Sequence, residues 1–159
     1  MENKPKQIEA KIIGEKGCYF LSIVNGVLRF LEDKGKTAEC DIIRLYEISQ
    51  EEKWISNDCF VERPDLIAAY MLGVSIDKLR KALLTESEIV EVKIAKETLD
   101  YVPKSNEIEI TRYEKESTGV TFSHFVETRN GEVIYDPYGN SNTVTKGYPV
   151  SKRILTINL

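Results

Sequence analysis

Ser123-His124-Phe125-Val126-Glu127-Thr128-Arg129-Asn130-Gly131-Glu132-Val133-Ile134-Tyr135-Asp136-Pro137-Tyr138 reads as two β-prone runs around a turn signal. It carries the only histidine in 159 residues. With a two-residue loop, Asn130-Gly131, His124 and Asp136 point to opposite faces of the sheet. With a three-residue loop, Arg129-Asn130-Gly131, Thr128 faces Glu132 and His124 lies directly opposite Asp136. Three-residue hairpin loops favour glycine in the left-handed conformation at their end, so the expectation is that loop, with positive φ at Gly131. The same residues also suit a structural histidine beside a turn-forming Asp-Pro.

Working outward, the length suits one domain, residues 1–159, with a single core. Hydrophobic residues make up 42% and charged ones 30%, a globular balance. The net charge of −4, with signs interspersed, argues against a nucleic-acid partner. The polar start has no apolar leader and no run reaches membrane-spanning length, so the expectation is a cytoplasmic protein with no membrane partner. Cys18, Cys40 and Cys59 form no Cys-x-x-Cys pair. A zinc site built from them and His124 is set aside, and no metal or cofactor is expected. The odd cysteine count fits reduced thiols.

Residues 1–8 read as a loose arm, followed by a short strand over Ile8–Ile13. Apolar residues at 20, 21, 24, 27, 28 and 31 predict a buried helix beginning at Cys18, stopped by Lys34-Gly35. Gly26 in its middle costs about 1 kcal/mol against alanine, so a close neighbour is expected there. At a helix start, unpaired N–H groups favour a thiolate at Cys18; a small buried cysteine is the other reading. Thr37 is expected to cap the next helix and residues 49–62 to form a loop around Trp54. Pro64 opens a helix that Gly73 ends, and Ser75 caps another through Leu84. Lys78, Arg80 and Lys81 on that last helix give the pair a helix-turn-helix look, with DNA binding as its functional reading and a plain helical hairpin as the alternative. From Glu88 the period becomes two, through Val90–Ile94, Ile108–Ile110, the His124 hairpin and a last strand at Val150–Leu159. Helices first (about 17–85) and antiparallel strands second (about 88–159) give an α+β fold.

Gly17-Cys18-Tyr19-Phe20-Leu21-Ser22, the middle from Thr37 to Val74, and His124-Phe125-Val126 followed by Asp136-Pro137 together resemble the papain-like cysteine peptidases. The similarity is to the branch of double-glycine bacteriocin-processing peptidases and related cell-wall hydrolases. The resemblance implies a nucleophile helix packed on a C-terminal antiparallel sheet, with Cys18 as nucleophile, His124 as base and Asp136 as its orienting partner. It implies hydrolysis of a peptide or peptidoglycan-stem amide, in a setting such as a phage or prophage lysis protein. It also makes the helix pair at 65–84 part of the cleft. The family places a glutamine six residues before the nucleophile; here that position is Ile12. An inactive binding module that kept the fold is therefore the competing reading, and DNA binding the third. On the enzyme reading the helix bearing Cys18 packs on the face that carries His124, with its sulfur in hydrogen-bond reach of the imidazole.

Overall fold

The structure, a computed structural model, describes residues 4–82, 90–95 and 101–158. Met1–Asn3 of the expected arm, Leu83 and Leu84 of the last predicted helix, and Leu159 of the last strand lie outside them.

The chain opens with helix α1, Lys4–Lys16, where the sequence predicts an arm and a strand. The helix carries little amphipathic signal, but Ile13 is buried and its carbonyl accepts from Gly17 N at 2.8 Å. A side chain on Gly17 would collide with that carbonyl oxygen, so glycine permits the junction into α2, Cys18–Asp33. Phe20, Ile23, Val24 and Val27 form the buried face of α2, as the apolar spacing predicts. A Cβ on Gly26 would stand 2.5 Å from Ile108 Cγ2, which explains a glycine in mid-helix: α2 lies directly on the sheet there. Gly35, at φ 75°, ends α2 as expected.

Helix α3, Ile42–Glu51, starts later than predicted. Its cap is Asp41, whose carboxylate accepts from Arg44 N at 3.1 Å, and not Thr37. The expected loop contains a small hairpin, β1 Ile55–Ser56 and β2 Phe60–Val61, joined by a 3-10 turn at Asn57–Cys59. Trp54 anchors it from the core, and its carbonyl accepts from both Glu62 N and Arg63 N. Then come α4, Pro64–Met71, and α5, Ile76–Ala82, the second capped by Ser75.

One five-stranded antiparallel sheet follows, ordered β3-β7-β4-β5-β6. Its strands are β3 Val90–Ala95, β4 Glu107–Ser117, β5 Val120–Arg129, β6 Glu132–Tyr135 and β7 Tyr148–Ile157. A four-residue helix α6, Asn142–Thr145, sits in the β6–β7 connection. Ile108, Ile110, Leu155 and Ile157 meet the helices in one core, so the fold is α+β. Asn25 and Arg29 of α2 donate to the Glu127 carboxylate of β5 at 2.5 and 3.2 Å, fixing the helix along that strand. Odd-numbered residues of β5 thus face α2, and His124 faces the other side by alternation. The expectation that α2 packs on the histidine's face is corrected.

Candidate functional site

The β5–β6 turn corrects the loop prediction. Arg129 pairs with Glu132 and Thr128 with Val133, so the loop is Asn130-Gly131, both at positive φ. Positive φ at both central residues is the mirror-image turn that suits twisted strands. The next pair is Glu127 with Tyr135, which leaves Ile134 as an extra residue, a β-bulge. That one inserted residue restores the parity which the two-residue loop would have broken. Continued one residue past Tyr135, the register sets Asp136 opposite Val126, on the face of His124, and the turn Asp136–Gly139 then ends the strand.

His124 Nε2 lies 2.6 Å from Asp136 Oδ1. Asp136 Oδ1 also accepts from Tyr138 N at 2.9 Å, and Oδ2 from Ser141 N at 3.1 Å. Burial pushes this carboxyl up, but those three hydrogen bonds outweigh it and hold it below its ordinary value. An ionised carboxylate only accepts, so Nε2 carries the proton in neutral His124. The lone pair is then on Nδ1. Nδ1 is buried and makes no hydrogen bond. Tyr138 lies flat on the imidazole, centroids 4.4 Å apart, and its hydroxyl donates to the Glu15 carbonyl at 2.5 Å.

Cys18 begins α2 at the edge of β5. Strand β6 pairs no further than Glu127, so the Phe125 backbone is free on that side. Its carbonyl accepts from Ser22 Oγ at 3.4 Å, and its N–H faces the Cys18 sulfur together with the N–H groups of Cys18 and Tyr19. The Tyr138 hydroxyl is within hydrogen-bonding reach of the same sulfur. Tyr138 thus touches both groups, its ring on the His124 imidazole and its hydroxyl beside the Cys18 sulfur. The expected sulfur–imidazole hydrogen bond is not made, because Nδ1 has no partner. The thiolate expectation is also corrected: burial pushes the Cys18 thiol up and outweighs the N–H groups at the helix start. Burial likewise pushes the Tyr138 phenol up to about 12, so it stays a donor.

A cavity of 580 Å³ opens beside the sulfur, lined by Tyr19, Phe125, Arg153, Val61 and Pro64, with Cys59 and Phe60 from the small hairpin. Tyr138, Arg153 and Cys59 are missed by the sequence reading. Tyr138 sits in the turn after Asp136, where strand alternation gives no signal, and the other two come close only through tertiary folding. The position expected to hold a glutamine, Ile12, lies in α1 and half-buried against the core. The cysteines and His124 form no metal-ligand cluster among the described residues. Of the basic residues that give α5 its DNA-binding look, Arg80 is tied to Glu52 at 2.6 Å. Among the described residues no helix is long and apolar enough to cross a membrane.

A family model described as "Protein of unknown function, DUF261" matches residues 2–157. No curated protein and no solved structure matches the chain.

Proposed function

This chain belongs to the DUF261 family of proteins of unknown function, and from its own side chains we propose that it is a papain-like cysteine hydrolase. The observation that carries this is the His124–Asp136 pair, closed at Nε2 and open at a buried Nδ1, beside a helix that begins with a cysteine. In the proposed reaction Nδ1 takes the Cys18 proton as the sulfur attacks an amide carbonyl. Asp136 holds the ring and stabilises the imidazolium. The imidazolium then protonates the leaving amine, and water cleaves the thioester with His124 as base. The high resting thiol is compatible with this order, because proton transfer accompanies attack. It requires Cys18 to swing to Nδ1 when substrate enters.

Donors for the oxyanion are the Cys18 N–H and, in place of the family's glutamine, the Tyr138 hydroxyl once it turns from the Glu15 carbonyl to the incoming substrate. The substrate class is a peptide or a peptidoglycan-stem amide. No nucleic acid is assigned to residues 65–84, since Arg80 is spent on Glu52. A catalytically inactive binding module on the same fold is the second reading, favoured by the raised thiol and by Ile12. Digestion of peptide and muropeptide mixtures separates the two. Hydrolysis that disappears in Cys18→Ala and His124→Gln supports the enzyme; full biological activity in Cys18→Ala supports the binding module.

A further inference from the structure

Resting on that reading of the cleft, we infer that its substrate carries a carboxylate and that Arg153 is the residue that reads it. Arg153 lines the cavity that contains Cys18. Its guanidinium lies 4.8 Å from the Phe125 ring and 5.9 Å from the Tyr19 ring, and Nη1 donates to Ser151 Oγ at 2.6 Å. Both rings belong to residues whose N–H groups face the sulfur, so the cation is held one side chain away from the reacting centre. Guanidinium stays charged at any physiological pH.

What sets Arg153 apart is its missing counter-ion. Lys152 next to it is buried and paired with Glu109 at 2.9 Å, and Arg112 is paired with Glu114 at 2.9 Å. Among the described residues no carboxylate pairs with Arg153; the neighbouring ionic charge that acts on it is Arg112, of like sign. The other charges of the cavity do not replace one. Lys16 and Asp58 bind each other at 3.2 Å, and Glu62 is exposed. A half-buried cation whose hydrogen bonds go to the neutral Ser151 and Tyr19 hydroxyls gains once a ligand brings the anion. The planar fork over two rings suits a carboxylate, either an acidic side chain or a chain-end group.

The test uses three bromoacetyl probes that alkylate Cys18 by displacing bromide: N-bromoacetyl-glutamine amide, which is neutral; N-bromoacetyl-glutamate amide, with a side-chain carboxylate; and N-bromoacetyl-glutamine, with a chain-end carboxylate. Labelling at Cys18 is followed by peptide mass mapping. At least one acidic probe should react about tenfold or more faster than the neutral one, and which one identifies the source. Arg153→Gln and Arg153→Met should bring that ratio near one, and Arg153→Lys should keep part of it. Thermal melting checks the fold of each variant, and Arg153→Lys carries the comparison if the uncharged variants unfold. A ratio near one in the native protein, or one that survives Arg153→Gln, overturns the inference. The nucleophile reading is judged separately, by the neutral rate at Cys18 against that at Cys40. A slow Cys18 leaves the ratio defined, so the two ideas fail independently.

Discussion

Inserting one alanine between Tyr135 and Asp136 should disconnect His124 from Asp136 while leaving the fold in place. Ile134 is the bulge residue between the pairs Thr128–Val133 and Glu127–Tyr135. With Glu127 still opposite Tyr135, the inserted residue would take the place opposite Val126, and Asp136 would move to the face of Phe125. No core side chain is removed, and the strand pairs through Tyr135 are kept. What is lost is a hydrogen bond between a buried imidazole and an ionised carboxylate, 2.6 Å long. Bonds to charged groups contribute about 1.5–3 kcal/mol. The Cys18 proton-transfer step should therefore slow about 10- to 150-fold. Two readouts follow it. The chain has one histidine, so its protected downfield Nε2–H signal in proton NMR can be assigned without ambiguity, and it should vanish. Alkylation of Cys18 by iodoacetamide should slow with it. Ile134→Ala, which keeps the register, should do neither. If the insertion retains the signal and the labelling rate, strand register is not what joins the pair, and the argument from it is wrong.

Asp136 should also shape acid stability. Its folded value is below the ordinary 3.8, so it stabilises the native state above that value and the contribution is lost as pH falls through the folded value. Urea unfolding from about pH 6 to about pH 2.5 should show a shallower acid decline in Asp136→Asn; an unchanged slope would refute the assignment. Gly26→Ala should destabilise by about 1–3 kcal/mol by lifting α2 off Ile108, more than the roughly 1 kcal/mol that alanine returns to the helix. A melting temperature equal to or above the native one would mean that the contact relaxes freely. Tyr138→Phe should keep the ring on His124 and cut hydrolysis about 10²–10³-fold if its hydroxyl serves the oxyanion; unchanged turnover would remove it from the mechanism.

The helices that build the core were legible because their apolar spacing is regular, as in α2 from Phe20 to Val27. The α+β order was legible from the change of period after Glu88. Helix α1 was not, since Lys4–Lys16 has few apolar residues and is held by the Gly17 junction and the burial of Ile13. Thr37 and Asp41 are both competent caps, and local sequence does not choose between them. That His124 and Asp136 share a face was read correctly for a partly wrong reason, and Asp136 falls opposite Val126 and not, as expected, directly opposite His124. Val133, Ile134 and Tyr135 are all apolar, so alternation offers no mark of where a bulge falls. The loop was assigned three residues, and the structure reaches the same parity with two and a bulge. Burial, which sets the Cys18 thiol, and an Arg153 with no carboxylate beside it among the described residues are tertiary facts that single-residue patterns do not carry.

The central claim is that His124 takes the proton of Cys18. It is tested most directly by the rate of Cys18 alkylation near pH 6 in the native protein and in His124→Gln, mapped against Cys40 and Cys59 in the same sample. The account predicts that Cys18 reacts fastest of the three and loses at least about tenfold in the variant, while Cys40 and Cys59 keep their rates. Equal Cys18 rates in the two proteins would contradict it.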